Sequence, residues 1–203
     1  AVLEGKAEQL VLVNCCDSMR RVYDVVKSTG KCKFLYMLDL PHNDNECEKV
    51  KFAGAIRRLK EAYEEYSGKT FDKNVFLKSF VQPATEKHPY IGVLGVRVSG
   101  VLEEMIRENI HMDVENLTCT GGRKLSVITE ELQAMDEEEM FLMYADVLLG
   151  QMPCFRMNTS TRRNQLYLDP NLKGIIYHTI KFCDYYGFEY ASIKKFIKVP
   201  LLK

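Results

Sequence analysis

The sequence predicts an α/β protein that contains two parallel-sheet units. Three observations support this fold class. Short apolar runs typical of buried strands alternate with longer segments of helical periodicity. The alternation restarts after a polar, proline-bounded stretch at residues 83–89, so the predicted domains are residues 1–84 and 85–203. The chain has 203 residues, of which 46% are apolar, and this is enough for two small cores.

The first half is predicted to begin with a strand, a helix and a second strand. The strands are the apolar runs at residues 10–13 and 34–38, and each stops at polar residues. A helix is predicted at residues 19–28, with Asp17 or Ser18 as its N-cap.

A longer helix is predicted at residues 47–67, because apolar side chains recur there at three- and four-residue spacing. Gly68 is expected to end it, since glycine readily adopts the left-handed conformation found after helices. Residues 71–80 are predicted to add another helical turn or two.

The second half repeats the alternation. Its predicted strands cover residues 90–98, 111–117 and 172–178. Its predicted helices cover residues 100–109, 130–149 and 191–197. In parallel sheets, binding sites gather in the loops beyond the carboxyl ends of the strands. Functional side chains are therefore expected in those loops.

The charge balance argues against several classes of function. The chain carries 28 basic and 28 acidic residues, so it has no net positive charge that would attract nucleic acid or anionic membranes. No stretch approaches 18 apolar residues, and no basic region followed by an apolar core stands at the start. We therefore expect a cytoplasmic protein with no nucleic-acid partner and no membrane partner.

The cysteines are the most informative residue type. There are seven, an odd number in a chain that is not small, which argues against a secreted disulfide framework. Reduced thiols serve as core residues, metal ligands or reactive groups. Two of them, Cys16 and Cys183, fall just past predicted strand ends, one in each half. Soft thiolates brought together from separate loops suit an iron–sulfur cluster or zinc.

Two segments resemble motifs of one known family. Residues 14–24 read NCCDSMRRVYD and resemble the N-x-C-D-S-x-R-R segment of the 2-hydroxyacyl-CoA dehydratase and benzoyl-CoA reductase family. Residues 181–190 read KFCDYYGFEY and look like that family's K-F-C-D-P-Y motif. Weaker matches lie in the same order at residues 38–42, 119–123 and 153–157. Together these matches span nearly the whole chain.

The resemblance implies two Rossmann-like, flavodoxin-like domains, with a [4Fe-4S] cluster held by three cysteines in the cleft between them. Carried over by motif, Cys16 and Cys183 are two of the ligands, with Cys15 and Cys154 as weaker candidates. The family's first ligand precedes the Cys-Asp-Ser segment, and a further family segment follows the position of Lys203. The resemblance thus predicts a chain truncated at both ends, which need not hold the cluster on its own.

The resemblance also implies an oxygen-sensitive radical dehydratase that acts on 2-hydroxyacyl-CoA thioesters. One electron enters the thioester carbonyl and forms a ketyl radical anion, the α-hydroxyl leaves, and the β-proton becomes acidic enough to remove. The implied partners are a homologous second dehydratase subunit, an ATP-dependent activator protein that drives the electron in, and the acyl-CoA substrate.

Several basic side chains are candidates for the remaining roles. Arginines can bind CoA phosphates, and the candidates are Arg20, Arg21, Arg123 and Arg156. Arg156 shares a basic loop with Arg162 and Arg163. His42 and His178 lie at strand ends and are candidates for proton transfer. The alternative for Arg20 and Arg21 is an exposed first helical turn, and the alternative for the histidines is ordinary hydrogen bonding.

Three other functions compete with radical dehydration. One is an acyl-CoA or small-molecule reductase with a cubane or double-cubane cluster, which extra cysteines such as Cys154 would favour. Another is a scaffold or electron-relay subunit without chemistry of its own. The third is a structural zinc protein.

Overall fold

The chain forms two compact units. The computed structural model describes residues 4–78, 80, 88–119, 133–151, 154, 156–157, 163–181, 183–195 and 197–203. The first unit comprises Ala1–Ser79 and Ile128–Gly150, and the second comprises Phe80–Val127 and Gln151–Lys203. Each unit is thus built from two separate stretches of sequence. The predicted boundary between residues 84 and 85 lies outside the described residues and stays a prediction.

Strands and helices alternate along the described chain. The strands are β1 (Gln9–Val13), β2 (Phe34–Leu38), β3 (Tyr90–Gly95), β4 (Asp113–Asn116), β5 (Leu172–His178) and β6 (Leu201–Leu202). The helices are α1 (Asp17–Thr29), α2 (Glu46–Ser67), α3 (Lys73–Leu77), α4 (Gly100–Asn109), α5 (Glu137–Gly150), α6 (Arg163–Tyr167) and α7 (Asp184–Ile193). All strand pairs in these ranges are parallel. The protein is therefore of the α/β class.

In the first unit, α1 connects two adjacent parallel strands, β1 and β2, so the carboxyl ends of both strands lie at the same sheet edge. Both helices of this part end at a left-handed glycine. Gly30 follows α1 with φ 62°, and Gly68 follows α2 with φ 67°, as predicted for Gly68. The Asn45 side chain caps the start of α2 by accepting from the Glu48 N–H.

Helix α5 returns to the first unit and packs along α2. Helix α5 makes aromatic contacts with the segment that follows α2 and ion pairs with α2 itself. Phe71 and Phe76 contact Phe141 on α5, with ring centroids 5.5 and 6.3 Å apart. Ion pairs join the two helices at Lys49 with Asp146, at 2.6 Å, and at Lys60 with Glu137, at 2.5 Å.

In the second unit, the described strands form one sheet in the order β4-β3-β5-β6. The chain starts in the middle at β3, moves outward to β4, and then continues on the other side of β3 with β5 and β6. The direction of strand addition therefore reverses between β3 and β5. Such a switch point leaves a crevice beyond the carboxyl ends of the two strands, where α/β proteins commonly bind ligands.

Gly95 ends β3 next to β5. Its φ is 94°, and a Cβ placed there would meet the backbone oxygen of His178 at 2.1 Å. Only glycine suits both the backbone conformation and this close approach. The strand predicted at residues 90–98 ends early for this reason. Below the strand end, the apolar core of this unit includes Leu94, Ile175 and Tyr177, each at most 2% exposed.

Several elements differ from the sequence prediction. Helix α1 starts at Asp17, so its N-cap is Cys16 and not Asp17 or Ser18. The last helix spans Asp184–Ile193 and not residues 191–197. Its aromatic residues and Gly187 are weak helix formers, but Tyr186, Glu189 and Ile193 gain burial in the helix. The short elements α6 and β6 were not predicted, and the predicted start of the helix at Glu130 lies outside the described residues.

In the part of the chain that the structure describes, no helix is both long enough and apolar enough to cross a membrane.

Candidate functional site

Cys16 lies at the start of α1, just beyond the carboxyl end of β1. Its backbone is extended, with φ −162° and ψ 168°, and its carbonyl accepts the first helical hydrogen bond, from Arg20 N–H at 3.2 Å. In the described structure its side chain makes no capping hydrogen bond. Asp and Ser usually hold N-cap positions because their oxygens satisfy the first-turn N–H groups. A cysteine in this place gives up that stabilisation, which favours a different use of the thiol.

The loop before Cys16 is joined to the loop after β2. Asn14 Nδ2 donates to Asp39 Oδ1 at 2.7 Å, and Asn14 Oδ1 accepts from Leu40 N–H at 2.8 Å. The predicted proton-transfer residue His42 lies two residues further along the second loop and is exposed. The end of the first sheet therefore brings Cys16 and His42 onto connected loops.

Cys183 occupies the matching position in the second unit. It is the N-cap of α7, and Gly187 N–H donates to its carbonyl at 3.3 Å. As at Cys16, no capping hydrogen bond from the cysteine side chain is found among the described residues. Cys183 is half-buried and packs against the same apolar cluster as Cys154. The two thiols thus lie on one core, whereas Cys15 lies beside Cys16 in the first unit.

His178 lies at the switch point between β3 and β5. Its backbone oxygen accepts from Val96 N–H at 2.9 Å, and its Nδ1 lies 3.1 Å from Val96 O. A carbonyl oxygen only accepts, so Nδ1 carries the hydrogen and donates it. In the neutral ring this leaves Nε2 as a proton acceptor. This hydrogen bond orients the ring at the carboxyl end of the sheet.

A buried ionic network holds α7 against the sheet. Arg163 and Glu189 are each 1% exposed and form a bidentate ion pair through Arg163 Nε and Nη2, the latter at 3.0 Å from Glu189 Oε2. Tyr167 OH donates to the same carboxylate at 2.7 Å, and Tyr177 OH donates to its other oxygen. The carboxylate therefore receives four hydrogen bonds from α6 and β5, as a buried charge requires.

The electrostatics of this network follow from burial and from the Glu189 carboxylate. Burial raises the pKa values of Tyr167 and Tyr177, and the neighbouring carboxylate raises them further, so both phenols remain donors. Burial alone would lower the pKa of Arg163, but Glu189 raises it above its ordinary value. Arg163 is thus committed to an ion pair inside the protein.

The arginines predicted to bind CoA phosphates fall into different environments. Arg20 and Arg21 lie on the exposed first turns of α1, where they pair with Asp17 at 3.7 Å and with Asp24 at 3.1 Å. Arg156 is buried, with 7% exposure. Arg123 lies outside the described residues. Exposed pairs of this kind are weak, so Arg20 and Arg21 can exchange their partners for a phosphate at small cost.

The cysteines are the candidate metal ligands of the chain. All seven are thiols in the structure. Within the described ranges, no three His, Cys, Asp or Glu side chains lie close enough together to hold a metal ion. Cys16 belongs to the first unit and Cys183 to the second.

Sequence reasoning missed the residues that fix the two cysteine-bearing helices. Asn14 and Asp39 are 25 positions apart, and Arg163 and Glu189 are 26 apart, so no local pattern links either pair. One signal was present for Asn14, since an asparagine directly after a strand often makes loop hydrogen bonds.

Comparisons with known proteins agree with the motif resemblance. None of the curated proteins matches the chain. The family model for 2-hydroxyglutaryl-CoA dehydratase, D-component, matches residues 2–84 and 81–203. These two segments together cover nearly every residue, so the chain belongs to the 2-hydroxyglutaryl-CoA dehydratase D-component family.

Proposed function

We propose that the chain is a subunit of an iron–sulfur enzyme that dehydrates a 2-hydroxyacyl-CoA thioester by radical chemistry. Membership of a dehydratase component family supports a dehydratase-type subunit. One structural observation carries the finer proposal. Both cysteines matched to the family motifs stand at helix N-caps beyond parallel strands, in positions where a thiol contributes little to capping.

The thiols of Cys16 and Cys183 are of the chemical type that binds an iron–sulfur cluster. Thiolates are the ligands that such clusters use, and Cys16 and Cys183 would supply two of them, with Cys15 and Cys154 as further candidates. The backbone N–H groups of the first turns of α1 and α7 favour negative charge nearby. When bound, the cluster would supply a single electron at low potential. We also propose two Rossmann-like domains, with one ligand from each.

The chain's own residues would bind the substrate and handle its protons. A 2-hydroxyacyl-CoA has a β-proton of low acidity, so the site needs a base near the thioester in addition to an electron. His178 fits this role, because its Nδ1–H is bound to Val96 O and its Nε2 is left to accept a proton. His42 on the other loop is the second candidate. Arg20 and Arg21 are exposed on α1 and would bind CoA phosphates.

The proposed setting follows from the family resemblance. The subunit would work in the cytoplasm with a homologous second subunit and would receive its electron from an ATP-dependent activator. The thiol content of the chain is compatible with a reducing compartment.

Anaerobic reconstitution with iron and sulfide, with excess dithiothreitol to supply further thiolates, tests the proposal. We expect about four irons per chain with a matching amount of sulfide, as for a single cubane. Cys16→Ser and Cys183→Ser should each lose most of the iron. Cys47→Ser is the matched control, because Cys47 is exposed on the first turn of α2 and should leave the iron content unchanged. A wild-type chain that binds zinc without sulfide, or that binds no iron even when dithiothreitol supplies the missing thiolates, would refute the cluster.

A reductase with a larger cluster is the second candidate. It is favoured by one observation, namely that Cys154 and Cys183 pack against the same apolar cluster. In that case, the iron content should clearly exceed that of one cubane, and Cys154→Ser should reduce it. Iron at the level of a single cubane, unchanged in Cys154→Ser, would favour the dehydratase.

A further inference from the structure

Asn14 connects the two strand-end loops of the first unit through three hydrogen bonds. Its backbone N–H donates to Leu38 O at 3.2 Å. Its side-chain amide donates to Asp39 Oδ1 at 2.7 Å, and its side-chain oxygen accepts from Leu40 N–H at 2.8 Å. All three partners are consecutive residues at the carboxyl end of β2. We call this set of contacts the Asn14 bridge.

The bridge depends on the asparagine side chain. The two side-chain bonds need a donor and an acceptor on one short, planar group, and only the carboxamide of asparagine combines these at this length. An aspartate would keep the acceptor for Leu40 but lose the donor, and it would place a second carboxylate beside Asp39. A serine or an alanine would be too short to reach both partners.

The bridge lies two residues before Cys16, and α1 begins directly after Cys16. The backbone of the cysteine is therefore held on both sides, by the Asn14 bridge before it and by the hydrogen bond from Arg20 N–H to Cys16 O after it. The Cys16 side chain takes no part in either contact, since the described structure shows no capping bond from it. The geometry fixes the backbone and leaves the thiol available to a ligand.

We infer that Asn14 is a positioning residue for the Cys16 thiol, acting through the loop after β2. As far as it concerns a bound cluster, the inference rests on the function proposed above. The positioning of the Cys16 thiol does not depend on that proposed function. The role of Asn14 toward the thiol and its role toward a cluster can therefore be refuted separately. Asp39 is the other half of the device, and at most one side of the bridge can carry a negative charge, since two facing carboxylates would have no donor between them.

The test measures alkylation of the metal-free chain by iodoacetamide, with Cys16 and Cys15 separated by fragmentation of their common peptide. Cys32, which donates to the backbone oxygens of Glu8 and Phe34, serves as the internal reference. In Asn14→Ala, we expect the relative rate at Cys16 to rise about fivefold or more, because loss of the bridge increases the population of open loops. Asn109→Ala is the matched control, since its side chain donates only within an exposed helix end of the second unit.

An exchanged pair separates the bridge from a general effect of mutation. Asn14→Asp should also accelerate labelling, whereas N14D/D39N should return it to within about twofold of wild type, since the donor and acceptor are then merely reversed. Asp39→Asn alone should have little effect, because its oxygen still accepts from Asn14. Wild-type labelling rates in Asn14→Ala, or no recovery in the exchanged pair, would overturn the inference.

The iron content of the reconstituted chains, and their electron paramagnetic resonance spectrum after one-electron reduction with dithionite, give the second measurement. We expect the spectrum to change in Asn14→Ala and to recover in N14D/D39N. If labelling responds and recovers but no variant binds iron, the positioning of Cys16 stands and the proposed cluster fails. If wild type and Asn14→Ala bind iron with identical spectra, the role of Asn14 toward the cluster is refuted.

Discussion

Replacement of Glu189 should strongly destabilise the second unit, because this residue holds a buried ion pair. The Glu189→Gln change keeps the shape of the side chain but removes its charge, and it leaves the Arg163 guanidinium buried at 1% exposure without a counter-ion. Breaking a buried ion pair on one side costs about 3–5 kcal/mol. Unfolding free energies of single domains are about 5–15 kcal/mol, so the loss is a large fraction of the total.

The double variant provides the control. In R163M/E189Q, neither charge of this pair remains buried, and the new glutamine can accept from one tyrosine through its amide oxygen and donate to the hydroxyl oxygen of the other through its amide N–H. We expect this variant to lie closer to wild type than Glu189→Gln does, with a coupling free energy of about 2 kcal/mol or more.

Urea denaturation, followed by far-ultraviolet circular dichroism, measures the effect. With a slope of about 2 kcal/mol per molar urea, a loss of 3–5 kcal/mol lowers the midpoint by about 1.5–2.5 M. A midpoint for Glu189→Gln within about 0.5 M of wild type would show that the ion pair does not stabilise the unit as argued. Equal losses in the single and double variants would show that the cost comes from packing and not from the unpaired charge.

Three further predictions concern the second unit. Gly95→Ala should lower its unfolding free energy by about 3 kcal/mol or more in urea denaturation, because the new Cβ would meet His178 O at 2.1 Å. Gly187→Ala should raise the unfolding free energy by about 0.5–1 kcal/mol, because alanine favours the helix and a Cβ at this position of α7 would have no atom within 4 Å. A lower unfolding free energy in this variant would contradict the assignment of α7 as a helix. Hydrogen bonds from Arg107 and then from Asn116 lower the pKa of Glu103 below its ordinary value of 4.5. The stabilisation that these hydrogen bonds give to the folded state is therefore fully present above pH 4.5. It is lost as the pH falls through the lowered pKa that Glu103 has in the folded state. A carboxyl-carbon NMR titration should show this midpoint moving toward 4.5 in Arg107→Met, and an unchanged midpoint would contradict the assigned cause.

The sequence was sufficient for elements with clear local signals. The strand at Phe34–Leu38, the helix at Gly100–Asn109 and the strand at Leu172–His178 were predicted with the bounds that the structure has. Each is an apolar or amphipathic segment with polar or glycine residues at its ends. Helix α7 was misplaced because the burial of Tyr186 and Glu189 outweighs its weak helix propensity. Such burial depends on distant segments and has no local signature.

The candidate site was predictable only in part, because its motifs are local in sequence and the contacts that support it are not. Cys16 and Cys183 were found through motifs, and the strand-end position of His178 through the alternation of strands and helices. The partners that hold these residues were not found, because Asp39 and Glu189 meet their partners only after the chain has folded. Whether a polar residue is a buried anchor or a solvated side chain is decided by tertiary packing, which spacing alone does not reveal.

The division of the chain has a consequence for its synthesis. The first unit lacks α5 until residue 150 has left the ribosome, and until then the apolar side chains on α2 and α3 have no helix to cover them. By that time β3, β4 and α4 of the second unit have already emerged, but their sheet still lacks β5. During synthesis, the hydrophobic cores of both units are therefore incomplete at the same time. The core of the first unit is the first that can be completed, because α5 is synthesised before β5. Stalled or shortened chains that end before α5 are expected to be captured by chaperones or to aggregate.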